Sequence, residues 1–259
     1  MNPNVGALFL ESILLAGGLG ILLKQVASEI FKPPYEHGLL VEQIFQIGAR
    51  SFPLILITAI STGMVMTLQF GIGLEKFGGQ PYVPKIVSLS ILREMGPVFT
   101  SLMVAARVGA GIASEVGSMV VTQQIDAMRA LGTSPIKKIV VPRVLALLIT
   151  LPLLCSLANM IGITGATIIG ITELKMDPEF FVLKITSTLK LKDLFTGLGK
   201  SVFFALFIST VSCYYGLNVK EGTKEVGIAT TKAVVVSSTL ILVGDFFLTK
   251  LFWMIERWL

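Results

Sequence analysis

Four charged residues stand inside stretches that are otherwise almost free of charge: Arg93, Glu94, Lys200 and Asp245. At the centre of a bilayer each would cost about 2.5–3.5 kcal/mol on insertion scales, so spanning helices keep such residues for pairing or for a polar ligand. Two readings follow. The four neutralise one another and fix helix register, or they form a polar patch in a cavity that meets a charged part of a substrate. A lipid headgroup beside an apolar sleeve for its tails is compatible with both. Met66, Phe70, Leu74 and Phe77 follow i, i+4, i+8, i+11 and share one face if the helix persists, which makes them the candidate sleeve, with core packing as the alternative. A reading of another class takes Glu94 and Asp245 as the proton relay of an ATP-independent secondary transporter.

Other chemistries lack their residues. One histidine and two cysteines, Cys155 and Cys213, each alone in an apolar stretch, give no zinc site, disulfide framework or thiol enzyme. No nucleophile, base and orienter cluster can be assembled, so a membrane enzyme is disfavoured. Gly199-Lys200-Ser201 resembles the end of a phosphate loop, but Leu194 stands where G-x-x-x-x-G-K-[ST] needs its first glycine, and the segment opens an apolar helix. No cofactor is expected on this chain. If transport is active, ATP and Mg belong to a separate ATPase.

The elements that position the four charges are membrane spans. The 259 residues are 53% hydrophobic and 14% charged, with a mean hydropathy of +0.82. A soluble domain carries about 25% charged residues. The charge-free run Val144–Thr172 exceeds the roughly 20 residues that cross a bilayer as a helix. Charges read as punctuation give five spans: 52–70, a second from Pro84 to about Arg107, a third within 144–172 where Pro152 introduces a kink, 194–217 and 233–252. Val5–Leu23 is long enough to span but carries Glu11 and is followed by polar helical residues up to Pro33 and Pro34, so an interfacial helix is expected, with a sixth span as the competing reading. A signal peptide is disfavoured because Met1–Gly6 has no basic residue. Residues 1–50 then form N-terminal interfacial or cytoplasmic helices and 51–252 a five-helix bundle, within one domain over 1–259.

Lys and Arg outside the spans or at their ends number 11 on the side of the N-terminus, the 107–143 loop and the 220–232 loop, against 8 on the other. That excess places the first set in the cytoplasm. In this topology Arg93 lies roughly 12 Å, Lys200 about 9 Å and Asp245 roughly 10 Å from the outer surface. The formal charge of +5 is spread over short segments and gives little support to nucleic-acid binding.

Small residues recur every fourth position at Ala59-Gly63-Thr67-Gly71, Ala105-Gly109-Ala113-Gly117 and Gly162-Ala166-Gly170, faces suited to close helix packing in lipid. The loop between the second and third spans reads as a helix of about nine residues, capped by Thr122 and ended by Gly132 and Pro135. Its Gln124, Ile125, Asp126, Met128, Arg129 and Leu131 form a candidate docking surface for a soluble partner, an ordinary surface connector being the alternative.

Several runs together are similar to the MlaE/YrbE family of ABC-transporter permeases: Leu92-Arg93-Glu94-Met95-Gly96-Pro97, Ala106-Arg107-Val108-Gly109, Glu115-Val116-Gly117-Ser118-Met119, Gln124-Ile125-Asp126-Ala127-Met128, Pro142-Arg143-Val144-Leu145-Ala146 and Ala229-Thr230-Thr231-Lys232-Ala233-Val234-Val235. The resemblance spans residues 43–252. It implies an all-α, multi-pass permease of the bacterial inner membrane that moves phospholipid to or from a periplasmic MCE-protein system serving outer-membrane lipid asymmetry. It further implies an interfacial helix before five transmembrane helices, a homodimer, a cytoplasmic ABC ATPase dimer, a STAS-domain protein and an external MCE hexamer. Arg93 and Glu94 fall on the family's LRE-GP element, Lys200 and Asp245 on polar positions facing the lipid cavity, and Leu74 on an apolar cavity position. The segment 123–131 would be the coupling helix, its Asp126-Ala127-Met128 and Gly132 loosely echoing the importer E-A-A-x-x-x-G pattern. Phe77 and the unusually apolar N-terminal helix depart from the family pattern.

Overall fold

The computed structural model describes residues 5–33, 37–220 and 222–258. Residues 1–4, Pro34 and Glu221, on which parts of the N-terminal and loop expectations rest, lie outside the described residues. Among the described residues there is no strand, and six helical segments are long and apolar enough to cross a membrane. The chain is therefore a multi-pass membrane protein.

Helix α1 spans Val5–Ile30 and α2 His37–Glu75. The next rod, Gln80–Val121, is built from α3 (Val83–Ser90), α4 (Gly96–Val104) and α5 (Ala110–Val121), joined by π-helical turns at Ile91–Met95 and Ala105–Gly109. The short α6 (Gln124–Ala130) leads through a third π turn, Ile136–Val140, into α7 (Val141–Thr172), which stays helical through Pro152. Helix α8 (Pro178–Thr188), α9 (Leu191–Leu217) and α10 (Thr223–Trp258) complete the chain. The helices outrun the hydropathy windows at both ends, since hydrogen bonding continues into polar residues where hydropathy falls.

The small-residue faces are where the rods meet. A Cβ on Gly63 would overlap the Gly162 carbonyl, and one on Gly165 would crowd the Ile60 carbonyl, so α2 and α7 touch backbone to backbone. On the second face, Gly109 lies against Ile208 and Ser212 of α9, and Gly117 against Val226 of α10. Without a hydrophobic drive between helices in lipid, this close approach is what dispersion forces need. Buried Leu147, Leu151, Phe204 and Ile208 fill the centre. Outward residues such as Ile57, Val65, Leu153, Met160, Val243 and Phe247 stay apolar, as lipid contact requires.

Helix α1 meets the bundle at one end. Gly18 lies against the Tyr214 ring near the close of α9, and the Pro33 carbonyl accepts from Lys137 Nζ at 2.7 Å in the turn before α7. Those points are separated by roughly 20 Å of chain. Both contacts lie at the end that carries α6.

Helix α8 was absent from the sequence expectation. Asp177 caps it by accepting from the Phe180 amide at 2.8 Å, with Pro178 next, and fully buried Phe181 fills the space left by Gly170. Asp177→Ala is expected to cost α8 about 1 kcal/mol, seen as faster hydrogen exchange in its first turn.

Candidate functional site

The four intramembrane charges do not form one cluster. They are divided between two layers at the α8 end of the bundle, and the layer around Arg93 recruits two carboxylates, Asp193 and Glu256, that hydropathy places outside the spans.

Lys200 anchors the deeper layer. Its side chain is 0% exposed, and its ammonium donates to Glu94 Oε2 at 2.5 Å, Asp245 Oδ1 at 3.0 Å and Thr249 Oγ1 at 2.7 Å. An ammonium has three N–H donors, so all are satisfied. Local packing makes this reach feasible. Gly197 brings α9 so near the π turn that a Cβ there would overlap the Leu92 carbonyl, and Gly199 receives the Phe252 ring of α10. The Gly-Leu-Gly-Lys run is thus a packing device that draws two helices onto Lys200.

Arg93 belongs to the shallower layer. It donates from Nε to Asp193 Oδ1 at 2.7 Å and from Nη2 to Glu256 at 2.9 and 3.2 Å. Asp193, 2% exposed, also accepts from the Lys190 amide at 2.9 Å and so closes the first turn of α9. Thr196 donates to Glu256 at 3.2 Å. Asp193 lies in the polar turn before the apolar window and Glu256 beyond it. An acidic first-turn residue was the available sequence signal for Asp193; none pointed to Glu256.

The turn Ile91–Met95 sends adjacent residues to these two layers. The Gly96 amide donates to the Ile91 carbonyl, a bond one residue longer than in an α-helix, so neighbouring side chains diverge less around the axis. Arg93 and Glu94 can then both face α9 and α10. Gly96 also lies so close to the Asn159 side-chain oxygen of α7 that a Cβ would overlap it. The result is an open cleft of 440 Å³ lined by both residues with Thr196, Asp245, Thr249, Lys250 and Glu256, and by apolar Leu242, Phe246 and Trp253.

The expected sleeve sits elsewhere in the chain. Met66, Phe70 and Leu74 are half-buried against Val83, Val87, Ile91 and Ala166. Phe77 leaves their face because α2 ends at Glu75: Gly78 takes φ +66°, the Gly79 amide donates to the Leu74 carbonyl, and Phe77 is 84% exposed. The apolar wall beside the charges comes from α10.

The α6 surface also differs from expectation. Thr122 does not cap it; its hydroxyl donates to the Ser118 carbonyl, and Gln123 makes the turn at φ 58°. Helix α6 is accordingly seven residues long. Termination at Gly132 is as expected, with φ +72°, the Gly132 amide donating to Arg129 and the Thr133 amide to Met128. Ile125, 2% exposed, is an anchor in the core, and Met128 packs partly against it. Gln124, Asp126, Arg129 and the 83% exposed Leu131 form the outward surface, Arg129 pairing with Asp126 at 3.0 Å.

This arrangement of helices and intramembrane pairs coincides with a family match over residues 40–251, to permease MlaE. The chain belongs to the MlaE permease family. It is 38% identical over 249 residues to a probable ABC transporter permease of Rickettsia conorii, covering 96% of each chain. It is 38% identical over 211 residues to a probable ABC transporter permease of Synechocystis, covering 82% of this chain and 80% of that one. It is 32% identical over 214 residues to the intermembrane phospholipid transport system permease protein MlaE of Haemophilus influenzae, covering 82% of each. Within this MlaE-family chain, the run 92–97 covers most of the π turn over the ionic layers and the first two residues of α4, and the start of α7 is held to α5 by an ion pair between Arg143 and Glu115 at 2.8 Å.

Proposed function

We propose that this chain is the membrane subunit of an ATP-driven phospholipid transporter of the bacterial inner membrane. The observation that carries the reading is the cleft at Arg93 and Glu94, where polar groups able to hold a headgroup adjoin the apolar Leu242, Phe246 and Trp253. The MlaE name carried by a relative that spans most of the chain supports phospholipid as cargo. In this reading the cleft is half of a cavity completed by a second copy of the chain, and Met66, Phe70 and Leu74 meet acyl tails only in that assembly. Helix α1 lies on the cytoplasmic face, five helices span the bilayer, and an MCE-protein hexamer exchanges lipid at the α8 end.

ATP and Mg act on a cytoplasmic ABC ATPase dimer, itself bound by a STAS-domain protein. The exposed α6 surface receives that ATPase, and Ile125 transmits its movement into the core. Arg129→Glu combined with Leu131→Asp is expected to lower lipid transfer at least tenfold, a loss of about 1.4 kcal/mol in coupling, while membrane insertion is retained. Transfer assays on reconstituted complexes check this, and unchanged transfer with intact ATPase association rejects the docking role.

The whole proposal is tested by purifying the chain from its native membrane. Stoichiometric recovery of a nucleotide-binding subunit, with phospholipid in the mass spectrum of the complex, is the expected result. Recovery of the chain alone, with uptake driven by a proton gradient, favours a relay through Glu94 and Asp245 and overturns it.

A further inference from the structure

A second cavity lies beside the cleft, and its charge is of the opposite kind. This basin of 980 Å³ opens between the start of α3 and α8 and is lined by Lys85, Arg93, Lys184, Lys190, Lys192 and Asp193. The Asp193 carboxylate is engaged by Arg93 and by the Lys190 amide. Among the described residues no ion pair involves any of the four lysines; the Lys184 ammonium lies 5.3 Å from the Phe180 ring centroid. Four like charges around one cavity repel each other and create a potential that draws an anion.

Three features suit a lipid phosphate. Arg93 lines both the basin and the cleft, so the two are contiguous through one guanidinium. Lys85 is exposed near the start of α3 while Arg93 is roughly 12 Å further along the rod, a depth that runs from headgroups towards the hydrocarbon. Val182 and Leu183 beside Lys184, and Leu191 between Lys190 and Lys192, are exposed apolar residues, the mixture of cations and hydrocarbon found where proteins meet a lipid surface. From this geometry we infer that the basin seats the phosphate of a phospholipid headgroup as the lipid passes between the α8 surface and the Arg93 cleft. The inference rests on the phospholipid function proposed above and adds the route and its lysines.

The test uses the intact permease–ATPase complex in nanodiscs containing phosphatidylglycerol with a photoreactive headgroup. Labelling should map to residues 178–193, fall about tenfold or more in Lys184→Gln/Lys190→Gln/Lys192→Gln, and return in the corresponding triple arginine variant. Arginine rescue separates a charge role from a folding defect. Labelling that is unchanged in the glutamine variant, or not restored by arginine, overturns the inference. Retention of inorganic phosphate by the lysines without headgroup labelling assigns them to the free ion, and loss of an acidic carrier protein with labelling intact assigns them to protein docking; either result also overturns it. Because ATP-driven transfer is not the readout, a wild-type complex that transfers no phospholipid counts against the proposed function, and labelling decides the basin separately.

Discussion

Lys200→Met is expected to be the most damaging single change in the ionic layers. The substitution preserves length and apolar bulk but removes the cation from between Glu94 and Asp245, and it deprives Thr249 of a donor. The ammonium is fully buried, so no solvent replaces it where it stands. Breaking a buried pair on one side costs about 3–5 kcal/mol, and because Glu94 and Asp245 are partly open to the cleft the lower end of that range applies here. The expected result is a large drop in thermal stability of the purified protein and in its level in the membrane.

The compensated variant separates the two roles that intramembrane charges suggest. Lys200→Met with Glu94→Gln and Asp245→Asn removes the cation and both anions together, and stability should largely return, since amides tolerate this setting better than unpaired carboxylates. If the charges serve the substrate, lipid transfer stays lost although the protein is stable. Transfer restored along with stability would assign the layer to helix register alone.

The second large effect is expected at the α2–α7 crossing. Gly63→Leu places a side chain where the Gly162 carbonyl and the Ala166 amide already stand, and neither backbone can move without parting the helices. Overpacking typically costs about 1–3 kcal/mol and occasionally more, and a backbone obstacle belongs at the upper end of that range. Gly73→Leu on the same helix is the control, since Gly73 is exposed with nothing within 4 Å of an added Cβ. Thermal unfolding in detergent should show a marked loss for the first variant and little change for the second.

These effects trace to features of unequal visibility in the sequence. Gly63, Gly162 and Ala166 were readable because a four-residue repeat is a local pattern and lipid leaves close packing as its main use. The spanning helices were readable for the same reason, as charge-free length is a direct signature of hydrocarbon. Asp193 and Glu256 were not, because their role depends on Arg93, far away along the chain, and they lie outside every apolar window. The π turn that aims Arg93 and Glu94 has no hydropathy signal at all. The burial of Ile125 is not legible, because a short helix viewed alone does not reveal which side meets the bundle. The condition that the helix persist to Phe77 is not met, because periodicity cannot show that α2 stops two residues earlier.

Reconstitution of the purified permease with the ATPase subunit proposed for it, between donor and acceptor vesicles, measures the central claim most directly. The expected result is ATP-dependent movement of phospholipid that requires this chain and is abolished, in a stably folded protein, by the compensated Lys200→Met/Glu94→Gln/Asp245→Asn variant. Phospholipid movement that continues unchanged in that variant, or that follows a proton gradient without ATP, would contradict it.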